Sequence, residues 1–236
     1  MTESTTYAFM AFANGTQVVL AALAAWSTAL VHRRLDPDNA ARTPWLLISA
    51  GFAAFAAGES GDAYYELVGR NRPFPSALDA VFLGAYVLIG LAFVSFVRTY
   101  LRSELAGDAG RHRSPTLAFG TALALAGAVI VTLLLADDAP LAARVVGAAY
   151  PVLDLVALVP AFLLMRITLE FRGGALWRVW ASILAGFGLI LAADFVFAYF
   201  TVRGTDGQDA LMEALYLLAY AAFWRGSRIQ AGLISS

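Results

Sequence analysis

Seven apolar runs fill this chain, near 7–31, 45–68, 78–100, 116–136, 145–166, 177–201 and 209–225. Each is long enough, or nearly so, to cross about 30 Å of hydrocarbon as a helix rising 1.5 Å per residue. The seventh is the shortest, and Asp209 and Glu213 sit at its start. Between the runs lie turn and breaker sequences such as "DPDN" (36–39), "NRPFPS" (71–76), "DDAP" (137–140) and "RGTDGQ" (203–208), none long enough for a soluble domain. The expectation is one all-α integral membrane domain over residues 1–236, with seven transmembrane helices. The segment "MTESTTYA" puts no basic region ahead of the first run, so that run reads as a retained span and not as a signal peptide. Composition agrees: 14% of residues are charged and 60% apolar, against roughly 25% charged in an ordinary soluble domain.

The same composition removes several functions. A net charge of −1 and the lack of any basic block interleaved with aromatics leave no track for nucleic acid. The chain has no Cys, which excludes disulfides, thiolate nucleophiles and Cys-ligated metals. It has no Lys either, since all 16 cationic side chains are Arg, so a retinal or other Schiff base cannot form.

Arginine placement predicts the orientation. Loops 1–2, 3–4 and 5–6 with the C-terminal tail hold twelve Arg, whereas the other side holds Arg70, Arg72, Arg144 and Arg203. By the positive-inside rule the N-terminus faces outward and the C-terminus lies in the cytoplasm. Every acid within the spans then falls in the outer half: Glu59 and Asp62 on span 2, Asp79 at the mouth of span 3, Asp154 on span 5, Asp194 on span 6, and Asp209 and Glu213 on span 7. An acid near the bilayer centre costs about 2.5–3.5 kcal/mol on insertion scales, so such residues face the bundle interior or a wet cavity.

An internal repeat sharpens the pattern. Residues 51–64, "GFAAFAAGESGDAY", align with 186–199, "GFGLILAADFVFAY", placing Glu59 opposite Asp194. "LDAVFLGAY" (78–86) aligns with "MEALYLLAY" (212–220), pairing Asp79 with Glu213, Phe82 with Tyr216 and Tyr86 with Tyr220. Hairpins 2–3 and 6–7 therefore read as related units that bring Glu59, Asp79, Asp194 and Glu213 towards one axis. Spacings of three, four and seven keep Asp79 with Phe82 and Tyr86, and Glu213 with Tyr216 and Tyr220, on common helix faces. Pro151, three residues before Asp154, frees a helix carbonyl as a further acceptor.

These residues predict an oxygen-rich site open to the outside, with Glu59, Asp62, Asp79, Tyr86, Asp154, Asp194, Glu213 and Tyr220 as ligand-binding residues. Three occupants fit. Glu59, Asp79, Asp154, Asp194 and Glu213 are the candidate ligands of a hard divalent cation, Ca²⁺, Mg²⁺ or Mn²⁺, because His32 and His112 both fall in predicted cytoplasmic loops. Protons shared among Tyr-bonded carboxyls are the second, and an organic cation held between acids and aromatic rings is the third. Some acids have a plainer reading: Asp79 and Asp209 open helices, where a negative charge complements the terminus. Glu66, near the outer end of span 2, snorkels to the interface or pairs with Arg70 four residues on, and Asp137 and Asp138 solvate a loop.

The stretch "PFPSALDAVFLGAY" (73–86) resembles a Pro-Ser-x-x-Asp-x-x-Phe-x-x-x-Tyr pattern, carried here by Pro75, Ser76, Asp79, Phe82 and Tyr86. That pattern belongs to seven-helix membrane sensory regions found ahead of diguanylate cyclase and histidine kinase modules in bacteria and some archaea. "YPVLDL" (150–155) and "DALMEALYLLAY" (209–220) are similar to later helices of such regions. The resemblance implies a prokaryotic, multi-pass protein of the cell (inner) membrane with a sensory role. No cyclase or kinase sequence follows, so the expectation is an isolated sensor that signals through a separate cytoplasmic partner or a homo-oligomer. Two other classes remain. A proton- or cation-coupled transporter shares the acids and the repeat, but has no counterpart carboxylates on the inner side. A membrane hydrolase lacks HExxH and GxSxG motifs and would need carboxylate-held metal.

Overall fold

A computed structural model describes residues 3–70, 72–102, 110–135, 139–203 and 209–235. Among these residues all regular secondary structure is helical: α1 (Glu3–Arg34), α2 (Arg42–Leu67), α3 (Ala77–Leu101), α4 (Gly110–Leu135), α5 (Leu141–Ile167), a 3₁₀ turn (Thr168–Phe171), α6 (Ala175–Arg203) and α7 (Asp209–Leu233). Asp137, Asp138 and the side chain of Asp209 lie outside the described residues. Five helices (α1, α3, α4, α5 and α6) are long and apolar enough to cross a membrane, which makes this a multi-pass membrane protein. The other two, α2 and α7, are shifted towards polarity by Glu59, Asp62 and Glu66 and by Glu213, Arg225 and Arg228. The helix that outruns its apolar stretch most clearly is α7, which continues past 225 to Leu233. There Arg225 donates to Ser182 Oγ at 2.7 Å and the Arg228 guanidinium lies 5.7 Å from the Trp224 ring, so the last turns are held by polar contacts.

The order of packing is a closed ring, α1–α2–α3–α5–α6–α7, with α7 returning to α1. Helix α4 stands outside it, against α5 and more lightly α6. Small residues allow the close approaches. A Cβ on Gly51 or Gly58 would come within 2.5 Å of Ile89 or the Phe82 ring across the α2–α3 seam. One on Gly186 would come within 2.3 Å of Phe223 across α6–α7, and one on Gly127 within 2.0 Å of Leu155 across α4–α5. Such small-residue seams let membrane helices pack where lipid offers no hydrophobic driving force between them.

Inside the ring, one half is an aromatic plug. Trp45 meets Phe96 edge-on at 5.0 Å, Phe96 meets Trp180 at 5.1 Å, and Phe187 joins Phe93 at 5.8 Å and Phe223 at 4.9 Å. These rings come from α2, α3, α6 and α7 and are at most 2% exposed. Aromatic pairs in such geometry add about 0.5–1.5 kcal/mol each beyond simple burial. The layer therefore ties four helices together.

Candidate functional site

Beyond the plug the interior turns polar. Seven residues, or about 10 Å of helix, separate Phe52 in the aromatic layer from Glu59 on α2. A cavity of about 510 Å³ opens there, at the end of the ring where α2 and α6 finish and α1, α3, α5 and α7 begin. Phe55 forms its floor, edge-on to Tyr86 at 5.4 Å and to Tyr220 at 6.1 Å. Asp62 and Arg72, with side chains 32% and 22% exposed, stand at its mouth.

Each acid has its own partner. Tyr220 of α7 donates to Glu59 Oε1 at 2.7 Å, and Tyr216, one turn earlier, donates to Asp194 Oδ1 of α6 at 3.2 Å. Gln17 of α1 donates to Glu213 Oε2 at 2.6 Å. Tyr86 of α3 donates to Asp154 Oδ1 on α5. Asp154 and Asp194 are neighbours across α5 and α6, and the Oδ2 of each is buried without a hydrogen-bond partner.

Asp79 occupies a different setting. It closes a capping box at the start of α3: the Ser76 N–H donates to Asp79 Oδ2 at 2.6 Å, while Leu78 N–H donates to Ser76 Oγ at 3.2 Å. Tyr150 donates to its other oxygen at 2.8 Å, and Arg72 reaches the same oxygen at 2.9 Å. The second guanidinium nitrogen of Arg72 contacts both Asp62 oxygens, at 3.0 and 3.2 Å. Arg72 thus clamps the end of α2 to the start of α3 and lies 5.9 Å from the Phe82 ring. The helix-opening reading of Asp79 is what the local geometry displays.

Of the eight residues predicted for the site, Glu59, Asp62, Tyr86, Asp194, Glu213 and Tyr220 line the cavity, whereas Asp79 and Asp154 stand behind its wall. Among the described residues no three His, Asp or Glu side chains are grouped to hold a metal. Tyrosines, an amide and one guanidinium reach the acids separately. Among the described residues Glu66 does not pair with Arg70: its partner is the Asn14 amide of α1.

Sequence reasoning missed Asn14, Gln17, Arg72 and Tyr150. Asn14 and Gln17 carried a readable signal, two amides three positions apart in an otherwise apolar run. Arg72 sits between the two acid-bearing helix ends, and Tyr150 one turn before Asp154. Pro151 and Gly147 both line the cavity. Proline at 151 has no N–H for the Gly147 carbonyl, so that oxygen is an additional acceptor in the wall.

The arrangement is suited to cations. Four acids line the cavity beside one arginine, and the rings of Phe55, Phe74, Phe82 and Phe197 supply faces that attract positive charge. Its volume lies in the range of small-molecule sites. Compared with profiles of known protein families, with curated proteins and with solved structures, the chain gives no match.

Proposed function

We propose that this protein is a membrane sensory module that binds a small organic cation from the outer side and relays occupancy to a cytoplasmic partner. The observation that carries the reading is the acid-lined aromatic cavity, open at one end of the bundle and backed by the aromatic plug. A receptor needs one accessible side; a transporter needs two in turn. Behind the cavity the buried rings of Trp45, Phe93, Phe96, Trp180, Phe187 and Phe223 fill the interior with mostly apolar surface, which favours binding over transport.

All seven helices span the membrane in this reading. The cavity end carries Arg70, Arg72, Arg144 and Arg203, and the opposite end carries the larger arginine set, so the cavity faces outward. Helices α2 and α7 tolerate the bilayer because their acids turn inward, where tyrosines and Gln17 satisfy them. The repeat is supported by equivalent seams, since Gly51 meets Ile89 and Gly186 meets Phe223 at corresponding positions of the two hairpins. The resemblance carried by Pro75, Ser76, Asp79, Phe82 and Tyr86 supports a sensory role in a prokaryotic cell membrane.

The test is thermal stability of the purified protein in detergent against a panel of primary and quaternary amines, with Ca²⁺, Mg²⁺ and Mn²⁺ as separate arms. A ligand that binds only the folded state raises the melting temperature by mass action. At least one amine stabilises the parent, and Glu59→Gln or Asp194→Asn removes that gain. Stabilisation by a divalent cation alone would replace the organic-cation reading with a metal site. Cation-dependent flux into proteoliposomes, abolished by Asp194→Asn, would replace sensing with transport.

A further inference from the structure

Ring surface dominates the part of the cavity around Glu59. Phe55 of α2 is the hub of four rings that line it: Tyr86 of α3 meets it edge-on at 5.4 Å, Tyr220 of α7 meets it edge-on at 6.1 Å, and Phe82 of α3 lies 6.3 Å away. Glu59 belongs to this group, one turn after Phe55 on the same helix and bonded to the Tyr220 hydroxyl. Gly58 beside it leaves space for the Phe82 ring against α2. A half-buried carboxyl thus stands at the edge of a ring cluster, within a cavity of about 510 Å³.

One cation already lies against this cluster. The Arg72 guanidinium is 5.9 Å from the Phe82 ring, while its ion pairs go to Asp62 and Asp79. Glu59 has no ion pair among the described residues, and the donor it meets there is a neutral phenol. The chemistry of an incoming cation is then set by the acceptors beside the rings. Both Asp62 oxygens accept from Arg72, and Glu59 Oε1 accepts from Tyr220, which leaves Glu59 Oε2 as the open carboxylate oxygen of that pair of acids. A primary ammonium brings three N–H donors, and each one buried without an acceptor is costly. A quaternary ammonium brings none. Its charge is spread over alkyl groups that pack against aromatic rings and need only a carboxylate nearby.

Resting on the organic-cation reading of the cavity, we propose that the ligand carries a quaternary ammonium headgroup, seated among Phe55, Phe82, Tyr86 and Tyr220 with Glu59 as its countercharge.

The experiment is calorimetric titration of the full chain in nanodiscs with three probes: choline, ethanolamine, and the neutral alcohol in which carbon replaces the choline nitrogen. Choline binds at least about tenfold more tightly than either of the others. Glu59→Gln brings choline down to the affinity of the neutral alcohol. Phe55→Leu, which keeps an apolar side chain but removes the hub ring, weakens choline and leaves ethanolamine unchanged. If ethanolamine comes within about tenfold of choline, the quaternary proposal is overturned while the organic-cation reading stands. If the neutral alcohol does so, the site reads shape and not charge, and both are overturned. If a parent that melts cooperatively binds none of the three, the quaternary proposal is overturned, and the wider amine panel decides the organic-cation reading by itself. The affinity ratios of the parent decide the proposal even where a variant does not fold.

Discussion

Replacing Arg72 by Met removes the one guanidinium that holds two acids on different helix ends, and the structure sets the size of the effect. On the Asp62 side both partners are partly exposed, at 22% and 32%, so water replaces the lost contact and the cost is about 0–1 kcal/mol. On the Asp79 side the carboxylate is 3% exposed. Stripping a partner from a buried pair costs about 3–5 kcal/mol, but Asp79 keeps Tyr150, the Ser76 N–H and the Ser76 hydroxyl. Those remaining donors bring this side down to about 2 kcal/mol, for a total of about 2–3 kcal/mol. At about 2–4 °C per kcal/mol for a chain of this length, the melting temperature falls by about 4–12 °C. The assay is thermal unfolding in detergent, followed by intrinsic tryptophan fluorescence. Arg72→Lys recovers about half of the loss, because a single ammonium serves one carboxylate where the fork serves two. A double-mutant cycle with Asp79→Asn isolates the pair, since coupled residues show less than additive losses. Additive losses, or an Arg72→Met protein that melts within a degree of the parent, would refute the clamp.

Tyr220→Phe strips Glu59 Oε1 of its donor in a site where Tyr220 is 2% exposed, and lowers stability by about 1–3 kcal/mol in denaturant or thermal unfolding; no measurable loss would mean the phenol is not paired there. Gly186→Ala drives a Cβ to 2.3 Å from the fully buried Phe223 ring and costs about 1–3 kcal/mol. Gly188→Ala, whose Cβ meets nothing within 4 Å, is neutral or stabilising by up to about 1 kcal/mol in the same assay. Single cysteines at Asp38 and Asp206, in a chain that has none of its own, report orientation: a membrane-impermeant maleimide labels intact cells at 206 and not at 38. Labelling at 38 alone would invert the topology.

The helical class and the membrane setting were determined by the sequence itself, because both depend on local properties. Apolar runs longer than a soluble helix needs, broken by Gly, Pro and Asp, specify where helices start and stop wherever they are placed. The same locality made Glu59, Asp154 and Asp194 identifiable as interior residues, since hydrocarbon does not accommodate them and only the inside of a bundle can. What each acid meets is not local. Tyr86 reaches Asp154 because α3 packs on α5 and α4 is left outside the ring, an order that no hydropathy pattern encodes. Arg72 forks between Asp62 and Asp79 because a short turn returns α3 beside the end of α2, which converts two acids into the walls of a mouth and withdraws Asp79 into a helix cap. Counting carboxylates therefore suggested one cluster around a metal. Tertiary packing decided which donor each acid meets, through tyrosines, an amide and a guanidinium whose hydrogen bonds, short-ranged and directional, depend on which helices are neighbours.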